Sequence, residues 1–357
     1  MSPASRQVPV ILVAGFLGTG KSTLLNHLLR SSGATRIGLI INDFGAINID
    51  ALLVAGQVDG VVGLGNGCMC CTVDDDSPDG LAAVVRRLLA PSAGIDAIVI
   101  EASGLAEPRT LIRMVASLTD PRIVYGGLVY LIDAGGFLVS RRAHPELDAH
   151  VRVADMLVVN KADLLSDHPQ ADPDVDRDAV LGIIAGLNST APTLLTTESV
   201  VDPAMLFDPA PARDDGGPRQ LSLDEILREQ EHDHRDCANH HHLHDDYQSV
   251  SFQSAEPMNP RRLAAFLERP PAGTYRIKGW AHFDLPGHRG RFVLHAVGGR
   301  IRVEASSWAG EVPSTSIVVI GAGLDEQAVH VGLTAAVGAD SDDEFGILSI
   351  TRFSAAI

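Results

Sequence analysis

Residues 8–198 alternate short apolar runs with stretches of helical periodicity. The apolar runs, bounded by glycine and polar clusters, predict strands at 8–14, 37–41, 58–62, 97–100, 127–132, 156–159 and 192–196. Helical patterns begin after Lys21, near Asp79, after Pro108, near Glu146 and near Asp176. This alternation predicts an α/β fold with a mostly parallel sheet covered by helices on both faces. In such sheets ligands bind in the loops at the carboxyl ends of the strands.

The pattern changes after Glu198, where proline, glycine and acidic residues crowd into 202–218. Beyond Tyr247 the sequence predicts a smaller domain of α+β type. Its predicted strands are 249–253, 274–283, 291–296, 301–305 and 316–320, and its predicted helices are 260–269 and 326–337. We therefore expect a first domain at 1–215, a histidine-rich linker at 216–247 and a C-terminal α+β domain at 248–357. Three histidines of the last domain, His282, His288 and His295, are expected to be surface or hydrogen-bonded strand residues.

The composition of the chain limits the classes of molecule that it is expected to bind. A formal net charge of -17 argues against nucleic acid and anionic membranes as main partners and suits cations better. The first residues lack the apolar core of a signal peptide, and no apolar run approaches the length of a membrane span, so a cytoplasmic location is expected. Three of the four cysteines lie at 68–71, which indicates a thiolate site in a reducing compartment rather than a disulfide framework.

A glycine loop joins the first predicted strand to the first predicted helix. It has the P-loop spacing, Gly15-x-x-x-x-Gly20-Lys21-Ser22, in the required context of a strand and a helix, and predicts a P-loop NTPase sheet for the first domain. Backbone N–H groups of this loop would cradle phosphates, Lys21 would contact the β- and γ-phosphates, and Ser22 would hold Mg²⁺. The predicted nucleotide-binding residues of this loop are Gly15, Gly18, Thr19, Gly20, Lys21, Ser22 and Thr23.

Two further strand ends carry nucleotide chemistry. Glu101 follows four apolar residues at the Walker B position, and Gly104 would let the backbone approach a γ-phosphate, so Lys21, Glu101 and Gly104 are the candidate catalytic residues. An acid that only caps the next turn is the alternative for Glu101. After another strand, Asn160, Lys161 and Asp163 form an NKxD motif that predicts a preference for GTP, because Asp163 would accept the guanine N1 and N2 protons. An ordinary helix cap is the alternative for Asp163.

The cysteine cluster predicts a metal site. Cys68, Cys70 and Cys71 lie in a glycine-flanked loop, and clustered thiolates are soft ligands for Zn²⁺ or Co²⁺. A redox-active dithiol and an inert packed cluster are the alternatives. Three sulfurs leave a tetrahedral site incomplete, which suits metal transfer, although Asp43, Cys237 or a histidine could supply a fourth ligand.

Two polar segments add candidate metal ligands. Asp43 lies in a glycine-containing loop after the second strand, where a nucleotide-dependent switch would lie, and could reach a metal ion or cap a turn. The tract 232–246 interleaves histidines, among them His240, His241 and His242, with acids. It predicts a mobile linker that gathers or buffers metal, with a histidine-biased surface linker or a purification remnant as alternatives.

The order of GFLGTGKST, NDFG, GCMCC, EASG and NKAD, followed by the histidine tract and SVSFQ…YRIKGWAHF, resembles the CobW-like family of P-loop GTPases, which includes zinc-regulated metallochaperones. The resemblance spans nearly the whole chain. It implies that Cys68, Cys70 and Cys71 form the family's CxCC metal motif, and that Glu101 belongs to its ExxG Walker B motif. One departure is NDFGAINID where relatives commonly have NEFGEVGID, which shortens the acid at Asp43 and removes one at Ala46.

Together these features predict a slow GTPase that cycles between GTP and GDP with Mg²⁺ and delivers Zn²⁺, or Co²⁺, to a metal-dependent client protein. The alternatives are a GTP-regulated metal buffer or sensor without delivery, and a cobalt chaperone in cobalamin assembly. Cysteine and imidazole ligands accept both metals, so the sequence does not separate zinc from cobalt. The oligomeric state is left open, with a homodimer among the alternatives.

Overall fold

A computed structural model describes residues 7–33, 35–41, 80–91, 93–104, 106–165, 177–208, 248–308, 310, 312–338 and 345–354, and the backbone of 61–63. Within these ranges the first domain contains seven strands and seven α-helices. They are β1 (Val8–Gly15), α1 (Lys21–Ser31), β2 (Ile37–Ile41), β3 (Val61–Gly63), α2 (Leu81–Leu88), β4 (Ala97–Glu101), α3 (Pro108–Ala116), β5 (Ile123–Asp133), α4 (Phe137–Ala143), α5 (Leu147–Arg152), β6 (Met156–Asn160), α6 (Arg177–Leu187), β7 (Thr193–Thr196) and α7 (Pro203–Leu206). A short 3-10 helix, Ala162–Leu164, follows β6.

The seven strands form one parallel sheet in the order β3-β2-β4-β1-β5-β6-β7. Its central strands are apolar on both faces, as strands covered by helices on both sides must be. In β1, Val10 and Leu12 pack into one core with α2, α3 and α6, whereas Ile11 and Val13 pack into the other with α1 and α7. The predicted α/β fold is therefore confirmed.

The second domain is a five-stranded antiparallel sheet with helices. Its elements are β8 (Gln248–Ser254), α8 (Pro260–Glu268), β9 (Thr274–His282), β10 (Arg291–Val297), β11 (Arg300–Ser306), β12 (Thr315–Gly321), α9 (Glu326–Ala335) and α10 (Leu348–Thr351). The strand order is β11-β10-β9-β12-β8, and one face of the sheet packs on the helices around Leu263 and Leu333. The predicted C-terminal α+β domain is confirmed, whereas the boundaries at 215 and 247 stay predictions because 209–247 lie outside the described residues.

The C-terminal domain packs on the amino-terminal half of β5. Tyr275 is 1% exposed, belongs to the same core as α1, and donates a hydrogen bond from its hydroxyl to the Gly126 carbonyl at 2.7 Å. Arg302 donates to the Ile123 carbonyl at 3.0 Å. The predicted strand 127–132 begins at Ile123 instead, because a bulge at Gly126 keeps β5 paired with β1 through the two glycines.

His282 and His295 are partly buried strand residues, and His295 is hydrogen-bonded to the Tyr125 backbone, which agrees with the expectation of surface or hydrogen-bonded strand residues; each also has one ring nitrogen that differs from it. Nε2 of His295 and Nδ1 of His282 are buried, with no hydrogen-bond partner among the described residues. Burial, helped by the nearby Arg276 guanidinium, lowers the pKa of His295 to about 4. Both histidines lie on the sheet face opposite the helices, and this setting was invisible in their irregular spacing. No helix within the described ranges is long and apolar enough to cross a membrane.

Candidate functional site

The P-loop leaves β1 at Gly15 and enters α1 at Lys21, as predicted. Beside it lies a cavity of about 330 Å³. The cavity is lined by Leu17, Gly18, Gly20, Lys21, Ser22, Thr23, Ile41, Glu101, Ala102, Ser103 and Gly104. The amino terminus of α1 opens on this cavity, and the N–H groups of its first turn favour an anion. The Lys21 ammonium donates to the carbonyls of Gly15 at 3.0 Å and Phe16 at 3.2 Å, which holds it at the loop.

Glu101 is the last residue of β4, and it is only 4% exposed. The capping alternative does not apply to the next helix, because Glu107 caps α3 by accepting from the N–H groups of Arg109 at 3.2 Å and Thr110 at 3.0 Å. Glu101 instead lines the same cavity as Ser22. A carboxylate and a hydroxyl are oxygen ligands of the kind Mg²⁺ prefers, so these two residues fit a magnesium ion.

Gly104 follows Glu101 by three positions and lies against the P-loop. A β-carbon there would lie 2.7 Å from Cδ2 of the exposed Leu17 side chain and 3.1 Å from the Leu17 backbone nitrogen, so the two loops approach closely at this glycine. The predicted catalytic residues Lys21, Glu101 and Gly104 therefore line one cavity.

Asn160 ties three loops together at the ends of β1, β6 and β7. Its side chain is buried, donates from Nδ2 to the Thr19 carbonyl at 2.9 Å and accepts on Oδ1 from the Ser199 N–H at 2.8 Å. Ser199 in turn donates from its hydroxyl to the Gly20 carbonyl at 3.1 Å. Gly20 has φ 103°, and a β-carbon there would lie 2.3 Å from Asn160 Nδ2, so glycine is required by both conformation and space.

The remaining residues of the NKxD motif follow Asn160 directly. Lys161 has φ 60°, the left-handed conformation that non-glycine residues rarely adopt, and its ammonium lies 2.6 Å from the Asp133 carboxylate. Lys161 is also the N-cap of the 3-10 helix Ala162–Leu164, and Asp163 lies inside that helix. Asp163 is therefore not the N-cap that the alternative interpretation required, and it lies three positions after Asn160.

Sequence reasoning missed two members of this site. The loop Glu198–Ser199, with φ 57° and 56°, closes on Asn160 and the P-loop, and Asp133 holds Lys161. Polar residues after the last predicted strand, and an acid at the end of β5, were the available signals, because ligand sites in parallel sheets gather at strand ends.

The predicted metal ligands lie outside the described residues: Asp43, Cys68, Cys70, Cys71, His240, His241 and His242. Within the described ranges no group of three or more histidine, cysteine, aspartate and glutamate side chains could hold a metal ion. The metal site therefore stays a prediction from the sequence.

Comparison with known proteins covers both domains. The family description CobW/HypB/UreG, nucleotide-binding domain, matches residues 9–180, and Cobalamin synthesis protein cobW C-terminal domain matches residues 247–337. A protein named Zinc chaperone CobW from Sinorhizobium sp is 30% identical over 372 residues, which cover 93% of this chain and 98% of that protein. A protein of the same name from Pseudomonas aeruginosa is 30% identical over 369 residues, covering 93% of this chain and 92% of that protein.

A third relative, Zinc-regulated GTPase metalloprotein activator 1 from Dictyostelium discoideum, is 28% identical over 234 residues, covering 55% of this chain and 47% of that protein. The first domain match contains the motifs GFLGTGKST, EASG and NKAD, and the second contains SVSFQ and YRIKGWAHF. The full-length identity and the two domain matches show that this chain belongs to the CobW family, as its motifs predict.

Proposed function

We propose that this protein is a GTP-hydrolysing metallochaperone, which binds Zn²⁺ through Cys68, Cys70 and Cys71 and delivers it to a client protein under the control of GTP. Membership of the family supports the nucleotide part of the proposal, and the names of the relatives, zinc chaperone and zinc-regulated GTPase metalloprotein activator, support the metal part.

One observation carries the coupling between nucleotide and metal. Gly63, at the end of β3, is in register with Ile41 of β2, and Ile41 is in register with Glu101 of β4. Adjacent strands lie about 4.8 Å apart, so Gly63 and Glu101 are about 10 Å apart across the sheet. Cys68 follows Gly63 by five positions, and Asp43 follows Ile41 by two. That β2 and β3 end on the same side of the sheet as Glu101, with Ile41 lining the phosphate cavity, supports a coupling between the two sites.

In this proposal, GTP hydrolysis would be accelerated mainly by electrostatic stabilisation of the charge on the phosphates. The P-loop N–H groups and Lys21 would neutralise phosphate charge, Glu101 would orient the attacking water, and Asp163 would read the guanine base. A Mg²⁺ ion held by Ser22 and Glu101 would supply further positive charge at the phosphates. Slow turnover belongs to the proposal, because the lifetime of the GTP state would set how long the metal is held.

The test is a zinc titration of the full chain with a non-hydrolysable GTP analogue and with GDP. We expect tighter zinc binding with the analogue, and loss of tight binding in Cys70→Ser. Cys237→Ser is measured beside it, because Cys237 is a candidate fourth ligand: weaker zinc binding would identify it as one, and wild-type binding would leave the fourth position to another group. Equal zinc affinity in the two nucleotide states would refute the coupling, and unchanged binding in Cys70→Ser would move the metal to the histidine tract.

The histidine tract at 232–246 favours a second candidate, a metal buffer or sensor whose nucleotide controls partner binding without delivery. Turnover that stays negligible in the presence of a metal-dependent client would support it. A cobalt chaperone is the narrower variant, and the same titration with Co²⁺ in place of Zn²⁺ tests it.

A further inference from the structure

Asp133, the last residue of β5, has both carboxylate oxygens engaged. Oδ1 accepts hydrogen bonds from the N–H groups of Gly135 and Gly136, both at 3.1 Å. Oδ2 accepts from the Lys161 ammonium at 2.6 Å. The backbone turn thus fixes the orientation of the carboxylate through Oδ1, and Oδ2 in turn fixes the position of the ammonium. Asp133 and Lys161 meet because β5 and β6 end side by side, with Asp133 in register with Asn160, the residue before Lys161.

Lys161 is held from its backbone as well as from its ammonium. Its φ of 60° is a strained backbone conformation for a non-glycine residue, and such strain persists only where surrounding contacts enforce it. The Asn160 hydrogen bonds on one side and the 3-10 helix on the other enforce it here. The Lys161 side chain is 39% exposed, so without Asp133 its ammonium would be free to move.

Asp163 follows Lys161 by two positions, so it is the next carboxylate along the chain that an ammonium released from Asp133 could pair with. The same Asp163 oxygens would accept the N1 and N2 protons of guanine. An ammonium bound to them would compete with the base, because one carboxylate edge cannot satisfy both sets of donors at once. The structure pairs the ammonium with Asp133 instead, at 2.6 Å.

We propose that Asp133 is a positioning residue for guanine recognition: it holds the Lys161 ammonium away from Asp163 and so leaves the Asp163 carboxylate available to the base. This inference rests on the proposed function, in which Asp163 reads guanine. It adds a specificity determinant at the end of β5, outside the NKxD motif.

Asp133→Asn tests the inference, because the amide oxygen still accepts from Gly135 and Gly136 while the negative charge is lost. Affinities for GDP and ADP are measured by calorimetry on the full chain with Mg²⁺. We expect about tenfold weaker GDP binding in Asp133→Asn, with ADP binding unchanged. Asp120→Asn is the matched control. Like Asp133, Asp120 pairs with a cation, the Arg122 guanidinium at 2.6 Å, and accepts a backbone N–H, but it lies before the start of β5, at the opposite end from the motif. This variant should bind GDP like the wild type.

The double variant Asp133→Asn with Lys161→Met separates positioning from a merely structural role. If the freed ammonium is the cause, removing it restores GDP affinity to that of Lys161→Met alone. A further tenfold loss in the double variant, or wild-type affinity in Asp133→Asn, overturns the inference. If wild-type protein does not prefer GDP to ADP, the guanine assignment of the proposed function fails first; if it does and Asp133→Asn keeps that preference, only the role of Asp133 fails.

Discussion

Replacing Asn160 by alanine should weaken both the fold and the nucleotide site. The substitution removes the acceptor of the Ser199 N–H and the donor to the Thr19 carbonyl. Both partners are buried, Ser199 at 0% and Thr19 at 3% exposure, so water does not replace the lost bonds. Each buried group left unpaired costs about 1–3 kcal/mol. We expect Asn160→Ala to lower the free energy of unfolding by about 3 kcal/mol after partial relaxation.

Nucleotide affinity should fall as well, because Asn160 is one of two ties that hold the Glu198–Ser199 loop to the P-loop. Both residues of that loop have left-handed backbones, which cost about 1–2 kcal/mol each and relax once the tie is lost. We expect GDP to bind about tenfold more weakly, a loss of about 1.4 kcal/mol.

Urea unfolding with and without GDP measures both effects. At 100 times the wild-type Kd, GDP should stabilise the wild type by about 2.7 kcal/mol and Asn160→Ala by only about 1.4 kcal/mol. Asn188→Ala is the matched control. Asn188 is also buried and donates to two carbonyls, those of Val151 at 2.9 Å and Ala154 at 3.0 Å, but it lies at the end of α6, outside the site.

Because Asn188 Oδ1 also accepts from the N–H groups of Thr190 and Ala191, Asn188→Ala should lose at least as much stability as Asn160→Ala while keeping the full stabilisation by GDP. The reasoning is refuted if the two variants show the same response to GDP. It is equally refuted if Asn160→Ala unfolds at the wild-type urea concentration, since the two buried hydrogen bonds would then contribute nothing.

Three further predictions concern other parts of the molecule. Gly127→Ala should lower the free energy of unfolding by about 2–4 kcal/mol, because Gly127 has φ 105° and the new β-carbon would lie 2.6 Å from the Tyr275 hydroxyl. Gly182→Ala, in open space on a helix, should raise the free energy of unfolding by about 0.5–1 kcal/mol. Equal effects of the two substitutions in urea unfolding would contradict this reasoning. His295→Gln should flatten the pH dependence of stability. The folded pKa of His295, about 4, lies below the unfolded value, so the unfolded state binds more protons between pH 4 and 6.5. As the pH falls through that window the wild type should lose up to about 3 kcal/mol of stability relative to the variant, which urea titrations at pH 7 and pH 4 would reveal or exclude. Glu101→Gln should lower GTP turnover at least about tenfold, as measured against the wild type by phosphate release at saturating GTP. An unchanged rate would show that Glu101 takes no part in hydrolysis.

Much of the fold could be predicted from local patterns. The predicted strand 37–41 has the bounds of β2, and the run 97–100 is extended by one residue in β4, since short apolar runs between glycine and polar clusters have few other stable arrangements. The helix α4, Phe137–Ala143, was not predicted, because seven residues with only Phe137 buried give a weak apolar period.

The candidate site divides in the same way. Phosphate chemistry was readable because the spacing from Gly15 to Ser22 and the acid after an apolar strand are contiguous in the sequence. The partners of Asn160 were not, since Thr19 and Ser199 lie 141 and 39 residues away from it and meet only through the strand order.

The sequence by itself determined the two domains' classes, the P-loop, the NKxD motif and the thiol cluster, because each depends on the order and spacing of neighbouring residues. Only the tertiary structure decided that Tyr275 joins the C-terminal domain to β5, that Ser199 closes on the P-loop, and that Asp133 rather than Asp163 receives the Lys161 ammonium. These contacts connect residues on different strands and loops, and which of them meet is set by the packing of the whole sheet rather than by any local preference of the chain.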